Sequence, residues 1–170
     1  MSGDFPRAIE EFRAGLRVNP DFYILHEFLG MAYFANREYP ESISANEKAT
    51  ELSDRLPYFV ANLAQALVQA GRESEAAPLW RELQDRAREE YVRPVCFLLM
   101  HAVLGEFWSM LRWLKRAGEE HDSFLSWMSL LPVEFIQGRK ESRIKARLKG
   151  LLLKFAIQRT LTRNRLVSAT

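Results

Sequence analysis

A single cysteine, Cys96, stands among 170 residues. No disulfide can therefore close within the chain, and stability has to come from burial. Long apolar runs are missing as well: no stretch approaches the eighteen or so uncharged apolar residues of a membrane-spanning helix, and no basic flank leads into an apolar segment near Met1. The expectation is a cytoplasmic protein that does not enter a membrane. Metal and triad chemistry also lack their raw material. His26, His101 and His121 are far apart in sequence, and no Cys, His and carboxylate cluster has ligand spacing. The eight glycines fall mostly at turns and form no phosphate-cradling loop. No sustained apolar alternation is bounded by hairpin turns, which excludes a β-rich fold. No catalytic residue, cofactor or metal is expected.

What is present is enough to fold. Apolar residues make up 48% and aromatics 12% of the chain, which is incompatible with wholesale disorder. The net charge of +2 hides an asymmetry: residues 139–170 hold ten Lys or Arg against Glu141 alone, a tail of +9 beside a remainder of −7.

Shifting the sequence against itself by 34 residues aligns similar residue types without a gap. A small slot reads Ala8, Ser42 and Ala76, with Met110 as the outlier, and its neighbour reads Ile9, Ile43, Ala77 and Leu111. A turn slot holds Gly3, Arg37, Gly71 and Gly105. Further slots read Gly15, Ala49, Leu83, Ala117 and Phe12, Asn46, Trp80, Leu114. Leu29, Leu63 and Phe97 align, as do Gly30 with Ala64 and Tyr33 with Leu67. Two short antiparallel helices per repeat explain the pattern, because small residues let helices approach while large ones fill the gap to the next repeat. Pro6 and Pro40 share a slot where a helix should begin and a missing N–H costs nothing. The spacing predicts helices near 5–18, 22–35, 39–52, 57–70, 74–88, 91–104 and 107–119, then a short one near 123–130. Pro78 and Pro94 are each positioned to delay or bend a helix by a turn.

These residues resemble the tetratricopeptide repeat family. Gly3-Asp4-Phe5, Ala8-Ile9, Phe12 and Asn19-Pro20 are similar to that family's second-helix consensus, and Leu29-Gly30 with Tyr33 to its first-helix signature. The resemblance spans residues 3–122. His26 replaces a common tryptophan, and Asp54, Arg88 and Asp122 replace the closing proline. It implies an all-α fold, a right-handed superhelix of antiparallel helix pairs, with an array over 1–138 and a basic capping helix and frayed tail over 139–170. Gly105, Trp113-Leu114, Ala117, Glu119-Glu120, Leu125, Trp127, Pro132, Phe135 and Arg143 resemble the last repeat and cap of bacterial signalling proteins: winged-helix regulators, class III cyclases and Ser/Thr kinases. Glu141-Ser142-Arg143-Ile144 stands where their cap has Asp-Pro-Arg-Phe. None of their output domains lies within these residues.

The resemblance implies a non-enzymatic protein-interaction scaffold whose first helices line a groove. The groove positions are Ile24, Glu27, Met31 and Phe34 in one repeat, Tyr58, Ala61, Gln65 and Val68 in the next, and Val92, Val95 and Leu99 in the third. They suit a protein or peptide partner, with Met31 adaptable and Tyr58 able to hydrogen-bond. The same positions could instead be core covered by other parts of the chain. Family members that capture chaperone-tail carboxylates use Lys, Arg and Asn there; Glu27, Met31, Val92 and Cys96 do not fit, and only Asn62 does. An alternative is a small-ligand sensor with a pocket beneath Trp113 and Trp127. The tryptophans Trp80, Trp108, Trp113 and Trp127 are expected in the core, as is Cys96.

The tail shows Ile144, Leu148, Leu151 or Leu152 and Phe155 at helical spacing, with Arg143, Lys145, Arg147, Lys149 and Lys154 opposite, which fits a solvated cap. Phe155 is its lone aromatic, which argues against nucleic acid. The opening stretch, "GDFPRAIEEFRAGLRVNP", reads as the second half of a repeat. Ile9, Phe12 and Leu16 are then only partly covered, so an array starting midway is expected, through truncation, as a fragment of a longer protein or with a homodimer formed end to end.

Overall fold

A computed structural model describes residues 4–123 and residue 125. The helix expected near 123–130, the basic segment 139–170 and Trp127 lie outside the described residues, apart from Ser123 and Leu125. Within them the chain forms seven helices and no strand: α1 (Phe5–Val18), α2 (Tyr23–Ala35), α3 (Tyr39–Leu52), α4 (Pro57–Gln69), α5 (Glu73–Glu89), α6 (Pro94–Leu104) and α7 (Phe107–Glu119).

The 34-residue period is written into the backbone. Helices α1, α3, α5 and α7 begin at Phe5, Tyr39, Glu73 and Phe107, each 34 residues after the last. Pro6 and Pro40 sit in the first turns of α1 and α3, where no intrahelical N–H is needed. Asp4 accepts a hydrogen bond from the Arg7 amide at 3.2 Å and so caps α1. The turns after α2, α4 and α6 are alike bond for bond. Glu38 N–H donates to Tyr33 O, Arg72 N–H to Leu67 O and Glu106 N–H to His101 O, each at 2.9 Å. This six-to-one closure needs a left-handed residue before the donor. Gly71 and Gly105 supply it at φ 77° and 74°, and Arg37 adopts it at φ 65° despite its side chain.

The first helix of the third full repeat begins later than the spacing predicts. α6 starts at Pro94 rather than near 91, because a proline opens a helix well but pushes the residue before it into extended backbone. Arg93 shows this at φ −56°, ψ 135°, as does Leu56 before Pro57. Pro78 lies inside α5 and removes one helical donor without ending the helix.

Packing follows the chain. The principal contacts are α1 with α2, α2 with α3, α3 with α4, α4 with α5 and α6, and α6 with α7. Three apolar clusters succeed one another: Ile9, Leu29 and Tyr33 at one end, then Phe34, Ile43, Leu67 and Met100, then Val60, Leu83, Cys96 and Leu114. Each cluster joins neighbouring helix pairs, as in a stacked array rather than around a single centre. Small slots behave as the sequence reading requires. Ser42, Ala49 and Ala117 have no exposed surface, and Ser42 Oγ donates to Gly30 O at 2.8 Å where α2 and α3 touch. Ala77 departs from its slot and is exposed, while Leu79 and Trp80 face the clusters.

Helices α2, α4 and α6 form the inner layer. Ten of the thirteen residues of α4 and nine of the eleven of α6 are buried, against two of seventeen in α5. One exposed side chain corrects the sequence reading of the tryptophans. Trp108 is 76% exposed, because α7 turns only Met110, Leu114 and Ala117 fully inward. Trp80 and Trp113 are partly buried and pack on Phe97.

Candidate functional site

The inner layer shows how deep each expected groove residue lies. Ile24, Met31, Tyr58 and Val68 are half-buried. Glu27, Phe34, Gln65, Val92 and Leu99 retain between 6% and 9% exposure. Ala61 and Val95 retain none, so no partner can touch them in this arrangement. Phe34 also belongs to the apolar cluster with Ile43 and Leu63, its ring 5.7 Å from that of Tyr39. The apolar strip is thus narrower than expected and centres on α2 and the start of α4.

A connected set of polar groups crosses that strip. Glu27 on α2 faces Tyr58 and Asn62, one helical turn apart on α4. Asn62 Nδ2 donates to Glu27 Oε1 at 3.5 Å. The Tyr58 hydroxyl also hydrogen-bonds Glu27 and receives a hydrogen bond from Asn62. Burial pushes the Glu27 carboxyl above its ordinary range; the Tyr58 hydrogen bond and the charge of Arg93 only partly oppose it. Tyr58 is held well above the usual phenol value, by burial first and by the Glu27 charge second. It is a neutral donor at any physiological pH.

Arg93 and Asp122 complete the set and were not singled out as site residues from the sequence. Arg93 sits in the extended residues ahead of Pro94, its guanidinium 5.9 Å from the centroid of the Tyr58 ring. It pairs with Asp122 in the turn after α7, whose side chain is 1% exposed while that of Arg93 is 38% exposed. Burial is the largest single influence and works against the Arg93 charge, but the hydrogen bond to Asp122 and the negative charges around it, that of Asp122 first, together hold the guanidinium above its usual value. The sequence signals were faint: a proline that shortens α6, and an aspartate in a slot where proline is usual.

Cys96 lies beneath this set, with no exposed surface and its thiol pushed up to about 12, chiefly by burial. It is a small apolar filler and not a nucleophile. The histidines do local work. His26 Nε2 lies 2.7 Å from Pro20 O, and His101 Nδ1 lies 2.7 Å from a Glu106 carboxylate oxygen. Among the described residues, no three His, Cys, Asp or Glu side chains stand together in a way that could hold a metal ion. No described helix is long and apolar enough to cross a membrane. Trp113 lies stacked on Phe97, ring centroids 4.3 Å apart; Trp127, the other side of the expected pocket, is outside the described residues.

Residues 2–57 match the family model of the tetratricopeptide repeat. This part of the chain is a tetratricopeptide repeat, and it takes in α1, α2 and α3. Helices α4 to α7 continue the same alternation, and the turns after α4, α6 and α7 close with the same six-to-one bond. No curated protein and no solved structure matches the chain.

Proposed function

From the repeat identity of residues 2–57, we propose that the chain is a non-enzymatic interaction module that takes an extended peptide segment of a partner protein along α2 and α4. Tetratricopeptide repeats in general mediate contacts between proteins. The observation that carries the reading is the make-up of one face. Half-buried Ile24, Met31 and Tyr58 surround hydrogen-bonding groups of Glu27 and Asn62 that no helix cap or turn uses. Apolar area supplies affinity on such a face, and the few placed polar groups fix orientation. The likeness of the last repeat to those of bacterial regulators supports a place in a cytoplasmic signalling protein, with residues 139–170 as a basic cap.

The test is selection by the full chain from a positional-scanning library of nonapeptides, acetylated and amidated so that no terminal charge is read. Recovery of a defined set, lost on Ile24→Ala with Met31→Ala in a protein that still melts cooperatively, is expected. Recovery of no peptide, or of the same peptides by the folded double variant, would overturn the assignment.

A further inference from the structure

The buried carboxylate of Glu27 is the least expected group in the inner layer. The positions 34 and 68 residues further on are Ala61 and Val95, both without exposed surface. The fold therefore accommodates a small apolar side chain in this slot, and helix packing does not call for a charge. Glu27 is nonetheless only 7% exposed and ionisable, a costly arrangement unless its charge is used.

Among the described residues, its surroundings place no cation directly against that charge. Tyr58 and Asn62 both donate to the carboxylate, but both are neutral. Among the described residues, no Lys, Arg or His nitrogen lies within salt-bridge distance of Glu27. Arg93 is the cation that acts on it, at longer range and as the weakest of three influences, because its guanidinium is held by Asp122. Two donors fill only part of the acceptor capacity of a carboxylate, which has about four lone-pair directions. Ile24 and Met31, one turn to either side on α2, provide half-buried apolar surface along which the methylene stem of a long side chain can lie.

We propose that the peptide bound on α2 and α4 presents a lysine or arginine side chain whose cation pairs with Glu27, its stem lying against Ile24 or Met31. This rests on the groove reading and narrows it to partners with a basic anchor, the reverse of carboxylate capture. The occupied site would have its charge balanced: Glu27 by the incoming cation, Arg93 by Asp122. A charge-assisted pair in such a desolvated place is among the stronger polar contacts.

The same peptide library decides it. Wild-type protein is expected to favour Lys or Arg over Leu at one library position by about tenfold or more. Glu27→Gln, which keeps the shape and an acceptor oxygen but removes the charge, should abolish that preference while apolar preferences at neighbouring positions persist. Glu27→Asp, retaining charge on a shorter stem, should keep a weakened basic preference. Peptides selected without a basic preference, or a preference equally strong in folded Glu27→Gln, would refute the basic anchor and leave the groove standing. No peptide selected by wild type would overturn both.

Discussion

Replacing Gly30 with alanine tests the close approach of α2 and α3 in the first full repeat. A Cβ at this position would lie 2.7 Å from Asn46 Nδ2 and 2.9 Å from Asn46 Cγ. Asn46 has little room to retreat: it is 3% exposed, and its Nδ2 donates to Ser42 O at 2.8 Å. Alanine in a helix interior gains about 0.8–1 kcal/mol over glycine. Against that, dislodging a buried amide from its hydrogen bond costs about 1–3 kcal/mol, and overpacking about 1–3 kcal/mol more. The net expectation is a loss of about 3 kcal/mol, or about 6–12 °C in a thermal melt of a chain this size. Asn46 Oδ1 is buried without a hydrogen-bond partner, so Asn46→Ala alone should cost less. In the Asn46→Ala background, Gly30→Ala should become stabilising by about 0.5–1 kcal/mol. Gly15→Ala is the control: its Cβ would meet the end of the half-buried Leu25 side chain at 2.9 Å, which can swing aside, and stability should hold or rise. Circular dichroism melts and urea titrations of the four variants give the cycle. A Gly30→Ala protein as stable as wild type, or a double variant no better than Asn46→Ala, would refute the reasoning.

Glu27→Gln should stabilise the free protein by about 1 kcal/mol at pH 7, the mark of a residue kept for binding at a cost to folding. The sign follows from its raised folded value: Glu27 favours the fold most below the ordinary carboxyl value near 4.5, and that contribution is lost as pH rises through the folded value. The stability gap between variant and wild type should therefore widen from pH 4 to pH 7 in paired melts, and a flat or inverted gap would contradict it. Arg93→Ala should cost about 3 kcal/mol, because it takes the cation from an Asp122 side chain that is 1% exposed. Lys115→Ala, from a pair exposed at 75% and 63%, should change stability by less than about 0.5 kcal/mol in the same urea titration. Cys96 should resist a thiol reagent such as DTNB at pH 8 until the protein unfolds, given its complete burial and a thiol pushed up to about 12; rapid labelling of folded protein would count against the inner-layer packing.

Helix placement was readable because the repeat imposes the same local chemistry every 34 residues. Pro6 and Pro40 announced two helix starts, and Gly71 and Gly105 two turns; Arg37 could be placed in the same turn slot only through the period, since its side chain disfavours a positive φ. The late start of α6 was foreshadowed by Pro94, but its consequence was not: the extended residues it leaves behind carry Arg93 across the Tyr58 ring. Depth was the least legible property of the site. Helical spacing places Ile24, Ala61 and Val95 on comparable faces, yet Ala61 and Val95 are sealed while Ile24 is half-buried, because α4 and α6 pack on each other and α2 lies nearer the end of the stack. The partnership of Glu27 with Asn62, 35 residues apart, depends on two helices meeting and has no local signature.

The central claim is that the face of α2 and α4 around Glu27, Tyr58 and Asn62 receives the partner. Its most direct test is an amide and methyl chemical-shift map of the full chain, titrated with the best peptide from the library. The largest shifts are expected at Ile24, Glu27, Met31, Tyr58 and Asn62, with weaker ones at Arg93. Shifts concentrated instead on the outward faces of α3 and α5, or around exposed Trp108, would contradict it.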